Sequence, residues 1–162
     1  MKKAVFAATL CLISVAASAE NVIVKQARQA GVKQCMPAVE KIADYLVGDG
    51  DAGIHSVWSS DNPDNQAFTA MIERNYSDGS IVANLVVAPV KSGECYVEYE
   101  KIIQFNKSCL AASRDFKGAN YKGELNKEVA VMDHDAVSVY LIPSGNNCIV
   151  VRKEVIMEGR KL

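Results

Sequence analysis

Five cysteines stand at positions 11, 35, 95, 109 and 148 of a 162-residue chain, and their placement limits the fold more than any other feature. Cys11 lies inside the opening stretch MKKAVFAATLCLISVAASA. That stretch has the parts of a secretory signal: Lys2 and Lys3, an apolar run, and the small-x-small site Ala17-Ser18-Ala19. The run is shorter than the ~20 residues of a spanning helix. Leu10 before Cys11 is not the small residue that a lipidation site carries. Cleavage after Ala19 is therefore expected, with residues 1–19 a signal peptide and residues 20–162 a single globular domain in the periplasm or outside the cell. No membrane insertion is expected after cleavage. Cys11 leaves with the leader, and the even count that remains predicts two disulfides. No two of these four cysteines share a CxxC-type spacing and no histidine is close to any, so no zinc site is expected.

The segment 35–48, CMPAVEKIADYLVG, is the best amphipathic helix in the chain. At 100° per residue Met36, Val39, Ile42, Ala43, Leu46 and Val47 share one face, while Lys41 and Asp44 lie opposite. Pro37 suits the first turn and Gly48 suits the stop. Residues 20–34 show no convincing apolar face at 24, 27, 28 and 31, and read as a loose lead-in.

Nearly everything later reads as strand and turn. Residues 54–60 hold His55 and Trp58, and 59–65 (SSDNPDN) is a turn cluster. Segments 66–76 and 80–88 flank the hairpin signal Ser77-Asp78-Gly79. In the next strand Cys95, Val97, Tyr99 and Ile103 face one way and Glu94, Glu98, Glu100 and Gln104 the other, as an antiparallel sheet with one wet side permits. Residues 106–126 form a long mixed connection with at most a short strand at 110–113. Residues 128–142 read as a hairpin around Asp133-His134-Asp135, and 148–157 as the last strand. The expected fold is α+β: one amphipathic N-terminal helix packed on a six- to seven-stranded antiparallel meander sheet with two disulfides. No internal repeat is visible. Counting strand directions brings Cys95 to the end where the helix starts, which suggests the bonds Cys35–Cys95 and Cys109–Cys148.

Chemistry is harder to find. The formal charge is −1, or −3 once Lys2 and Lys3 are gone, with no basic stripe, so nucleic acid is not an expected partner. Asp49-Gly-Asp-Ala-Gly53 places its glycines too early for an EF-hand loop and reads as a turn. Glu98 and Glu100 read as a solvated face. The sequons at Asn75 and Asn106 matter only in a eukaryotic secretory pathway, and the Met-Lys-Lys start is bacterial in type. No G-x-S-x-G, HExxH, P-loop or G-x-G-x-x-G occurs. Neither a cofactor nor a metal is expected, and catalysis is not expected. A small exported chain with two disulfides and no catalytic set resembles, as a class, periplasmic inhibitors, immunity proteins and binding modules. The class implies action through a surface on another periplasmic or secreted protein. Trp58, Arg114, Phe116 and Tyr121 are the candidate contacts, because aromatics and arginine dominate interface energetics. Two alternatives stand beside it: a small periplasmic hydrolase with a site around His55 or His134, and a small-ligand carrier with an apolar cavity between helix and sheet.

Overall fold

The computed structural model describes residues 20–48, 52–77 and 79–158. Residues 1–19, read from sequence as a signal peptide, residues 49–51 of the acidic turn, Asp78 of the hairpin and the final four residues lie outside these. Val22–Ala30 forms a nine-residue helix, α1, where the sequence suggested a loose lead-in. The Asn21 side chain accepts the Ile23 N–H at 3.0 Å, and Gly31 closes the helix at φ 94°. The buried stripe runs through Ile23, Val24, Ala27 and Ala30: it keeps Val24 and Ala27 of the positions tested in sequence and takes Ile23 and Ala30 in place of Arg28 and Gly31. Met36–Val47 forms α2, with Ala38, Val39, Ile42, Ala43, Leu46 and Val47 buried as its spacing predicts for most of them. Asp64 ties the 59–66 turn to the α1–α2 junction: its carboxylate accepts the N–H groups of Lys33 (2.6 Å) and Gln34 (2.7 Å). Those two N–H bonds, Gln34 first, hold the carboxyl below its ordinary range.

Eight antiparallel strands follow: β1 Ala52–Trp58, β2 Phe68–Tyr76, β3 Gly79–Pro89, β4 Cys95–Phe105, β5 Asn120–Glu124, β6 Ala130–His134, β7 Val137–Ser144 and β8 Asn147–Glu158. Among the described residues the expected count of six or seven strands is thus corrected to eight, and the expected single helix to three α-helices. The third helix, α3, is the five-residue Cys109–Ser113 where a short strand was expected. Ser108 explains it, since its Oγ accepts the Ala111 N–H as a helix N-cap. The disulfides are Cys35–Cys95 and Cys109–Cys148.

The strand order is β1-β2-β3-β4-β8-β7-β6-β5, so the sheet is not one continuous meander. After β4 the chain crosses to the far edge and meanders back until β8 lies against β4. Two four-stranded halves result, each opened by a helix whose first turn is bonded to the start of its fourth strand. Matching Cys95 with Cys148 makes Glu100 the counterpart of Lys153, its own partner across the β4–β8 pair, so a pseudo-two-fold axis passes there. Carried through the ladders, the match sets Val97 on Val150, Leu85 on Val139, Val87 on Leu141, Pro89 on Pro143, Ala70 on Met132 and Phe68 on Ala130. The fold therefore repeats although no repeat is visible in sequence. The disulfides close loops of 60 and 39 residues, so the copies share no constant period.

Both cores lie on the same face of the sheet, since Ile103 opposes Val150 and Phe105 opposes Cys148. The first half packs α1 and α2 over Phe68, Ile72, Leu85, Val87 and Val97. The second packs only α3 and the turn at Phe116 over Met132, Val139, Leu141 and Val150. The opposite face carries no helix among the described residues. Val57, Met71, Val155 and Met157 are each more than a third exposed there.

A polar network crosses the middle of that open face. Lys153 donates to Glu98 (2.7 Å) and Glu100 (3.2 Å), and the Tyr96 hydroxyl donates to Glu98 (2.5 Å). The Lys153 bond, then the Tyr96 bond, lowers the Glu98 carboxyl below its ordinary value, and Glu98 in turn raises Lys153. A depressed carboxyl stabilises the fold above its unfolded value of ~4.3, and that contribution is lost as pH falls through the folded value. A raised lysine contributes below its unfolded value of ~10.4 and loses that contribution as pH rises through the folded one. The pair is therefore at full strength between about pH 5 and 10. Urea unfolding of the wild type and Glu98→Gln should show a wild-type advantage at pH 7 that shrinks toward pH 3; an advantage as large at pH 3 would contradict the pairing.

Candidate functional surface on the second half

The two halves differ in cover. In the first, three turns of α2 and two of α1 close the helix side of β1–β4. In the second, α3 has little more than one turn and α1 has no counterpart among the described residues. Openings remain on either side of α3. One is apolar, about 390 Å³, lined by Cys109 and Leu110 of α3, Tyr121 of β5, Ala130 and Met132 of β6 and Leu141 of β7. The other is more polar, about 340 Å³, lined by Asp115, Lys117, His134 and Arg152 together with Phe116, Val137 and Val139. Gly118 lets the turn after α3 close over this second opening. Its φ is +84°, and a Cβ there would stand 3.2 Å from His134 Nε2.

The apolar opening gathers exposed hydrophobic surface. Leu110 (73 %), Leu125 (67 %) and Tyr121 (62 %) are the most exposed large apolar side chains among the described residues, and all three lie on the connection around α3 and β5. Single exposed leucines mean little, but Leu110 and Tyr121 together border one unfilled apolar trough. The connection, residues 107–128, carries Lys107, Arg114, Lys117, Lys122 and Lys127 against three acids, in a chain of formal charge −1. Lys107 is paired with Asp115 at 2.5 Å, and Arg114, Lys117, Lys122 and Lys127 are exposed.

The structure divides the sequence candidates. Tyr121 borders the apolar opening, and Arg114 caps the end of α3. Phe116 is half-buried, edge-on to Phe105 with centroids 6.4 Å apart, and belongs to the second core. Trp58 ends β1 with its ring stacked on Phe68 at 6.3 Å. β1 and β5 are opposite edges of the sheet, so Trp58 stands about 34 Å from Tyr121 at ~4.8 Å per strand. Leu110 completes the surface and was missed in sequence; an apolar residue on a polar connection was the available signal.

His55 is exposed on the open face, opposite Met71, and its side chain makes no hydrogen bond or ion pair among the described residues. His134 lines the polar opening, and its Nδ1 is 3.8 Å from the exposed Asp135 carboxylate, beyond hydrogen-bond reach. No group of three or more His, Cys, Asp or Glu able to hold a metal occurs among the described residues. The space between α2 and the sheet is a groove of about 260 Å³ lined by Ala38, Ile42, Tyr45, Val97, Tyr99 and Ile156. A Lys41–Glu158 ion pair of 2.5 Å ties α2 to β8 at its rim. Burial, then the hydrogen bond it donates to Glu154, pushes the Tyr99 phenol well above its ordinary value, so it serves as a neutral donor. The groove is smaller than the ~300–1,000 Å³ of common ligand sites.

The fold and surface define a disulfide-stapled α+β sheet with a duplicated helix-plus-four-strand unit and one incompletely covered half. Two disulfides fit an oxidising compartment. No helix among the described residues is long and apolar enough to cross a membrane. Comparison with protein-family models, curated proteins and solved structures finds no significant match.

Proposed function

We propose that this is an exported periplasmic or secreted binding protein of the inhibitor or immunity type. It acts without catalysis, on another periplasmic or secreted protein, through the surface around α3 and β5. The observation that carries this reading is the coincidence of Leu110 and Tyr121, strongly exposed, with the unfilled apolar opening between α3 and β5 that they line. Leaving such a cluster in water gives up roughly 1.5–3 kcal/mol of transfer free energy for each side chain that a partner could bury. An aromatic anchor at an apolar pocket has the composition of an interface hot spot.

Capture from periplasmic extract tests it when run on matched variants. The wild type and Trp58→Ala should recover the same partner in the same amount. Tyr121→Glu should lose it while melting within a few degrees of wild type, because Tyr121 is exposed. Equal recovery by Tyr121→Glu and wild type would sink the assignment to this surface.

A further inference from the structure

We propose that the apolar opening between α3 and β5 docks an amphipathic helix of the partner, seated as α1 is seated in the first half, with acidic residues along its flanks. The inference rests on the binding reading above and adds the form and charge of what binds. In the first half α1 packs between α2 and β1. It buries Ile23, Val24, Ala27 and Ala30, and the Ser56 hydroxyl donates to the Gln26 side chain at 2.5 Å. The pseudo-two-fold carries Ser56, which bonds α1, and the first-core residues Phe68, Ala70 and Val87 of β2 and β3 onto Tyr121, Ala130, Met132 and Leu141. Those four line the opening, together with Cys109 and Leu110 from α3, the counterpart of α2. The second half thus has the floor and one wall of a helix seat and no helix in it. Ala130 stands where the first half has the Phe68 ring, which deepens the seat.

Charge selects the occupant. The connection that frames the seat carries a net +2, five cations against three acids. The α1 segment of a second copy carries Lys25 and Arg28 and so meets like charge. A foreign helix with acidic flanks meets opposite charge, which speeds encounter and sets orientation more than it adds affinity.

The test uses peptides, titrated calorimetrically into the full mature protein. A nine-residue helix is marginal in water, so the peptide is lactam-bridged. The first carries the α1 stripe Ile-Val-x-x-Ala-x-x-Ala with glutamate at the outward positions; the second replaces those glutamates with lysine; the third is the native α1 sequence. The acidic peptide should bind saturably with a Kd below about 1 mM. It should bind at least about tenfold more tightly than the lysine peptide at low salt, a ratio that falls as salt rises. Tyr121→Glu and Leu110→Glu, both at exposed positions, should abolish binding, and Trp58→Ala should leave it unchanged. Absence of saturable binding below about 1 mM, or binding indifferent to Tyr121→Glu, overturns the inference. A dimer in sedimentation that Tyr121→Glu dissolves assigns the seat to a second copy and also overturns it. If extract capture depends on Tyr121 while the acidic helix fails to bind, the helix falls and the surface reading stands; if neither binds, both fall.

Discussion

Replacing Cys35 and Cys95 by serine is expected to lower the stability of the fold by about 4 kcal/mol, the chain-entropy value for a 60-residue loop. At about 2–4 °C per kcal/mol for a chain of this size, that is a fall in Tm of roughly 8–16 °C. The bond closes α2 onto β4, yet α2 keeps six buried side chains, so it should loosen rather than melt. The Cys109–Cys148 bond closes 39 residues and differs by only a few tenths of a kcal/mol in the same model. Its local consequence is larger. A five-residue helix has no stability of its own, and α3 buries only Ala112. Loss of the second bond should therefore release α3 and with it the wall of the helix seat. Thermal melts of the two double-serine variants, with peptide binding measured on each, check both statements. A cost under about 1 kcal/mol for the first bond would contradict its assigned role.

Phe68→Ala is expected to cost about 3–5 kcal/mol, which urea unfolding would read as a lower midpoint. Phe68 is 1 % exposed, the largest fully buried side chain among the described residues, and it also supports Trp58. Its counterpart in the second half is already alanine, so the substitution makes the first half resemble the second at this layer. A cost near zero would mean that the first-half core tolerates the same thinning, and the difference between the halves would lose its energetic meaning.

Much of this architecture is written in local patterns. α2 follows from its apolar spacing, and β4 from the alternation that ends with Cys95, Val97 and Tyr99 inside. α1 is hidden because Val22, exposed, and Ile23 and Val24, buried, are adjacent and read equally well as strand. β5 is hidden because NYKGE is a short edge strand, with a register shift between Tyr121 and Gly123 and no buried residue. The placement of β8 beside β4 is a long-range choice with no local signal. The two-fold is hidden by shortened connections, although the two cysteine pairs and Pro89 and Pro143 carry its trace.

The candidate surface was half legible. Residue type and a long connection pointed to Tyr121, which lines the opening, and to Arg114, which ends α3. The same criterion chose Trp58, which the strand order puts on the opposite edge, and Phe116, which the second core uses. Leu110 was hidden by its assignment to a strand. Whether an apolar residue on a connection faces water or core depends on how much helix covers it, and that is a tertiary property.

Methyl NMR distinguishes the surfaces in one experiment, because the reporters divide between them. Leu110 and Met132 lie at the helix seat, and Met71 and Met157 on the open face. On adding the captured partner to the leucine- and methionine-labelled protein, the first two signals should shift or broaden while Met71 and Met157 stay in place. Shifts at Met71 and Met157 with Leu110 and Met132 unmoved would contradict the account and assign binding to the open sheet.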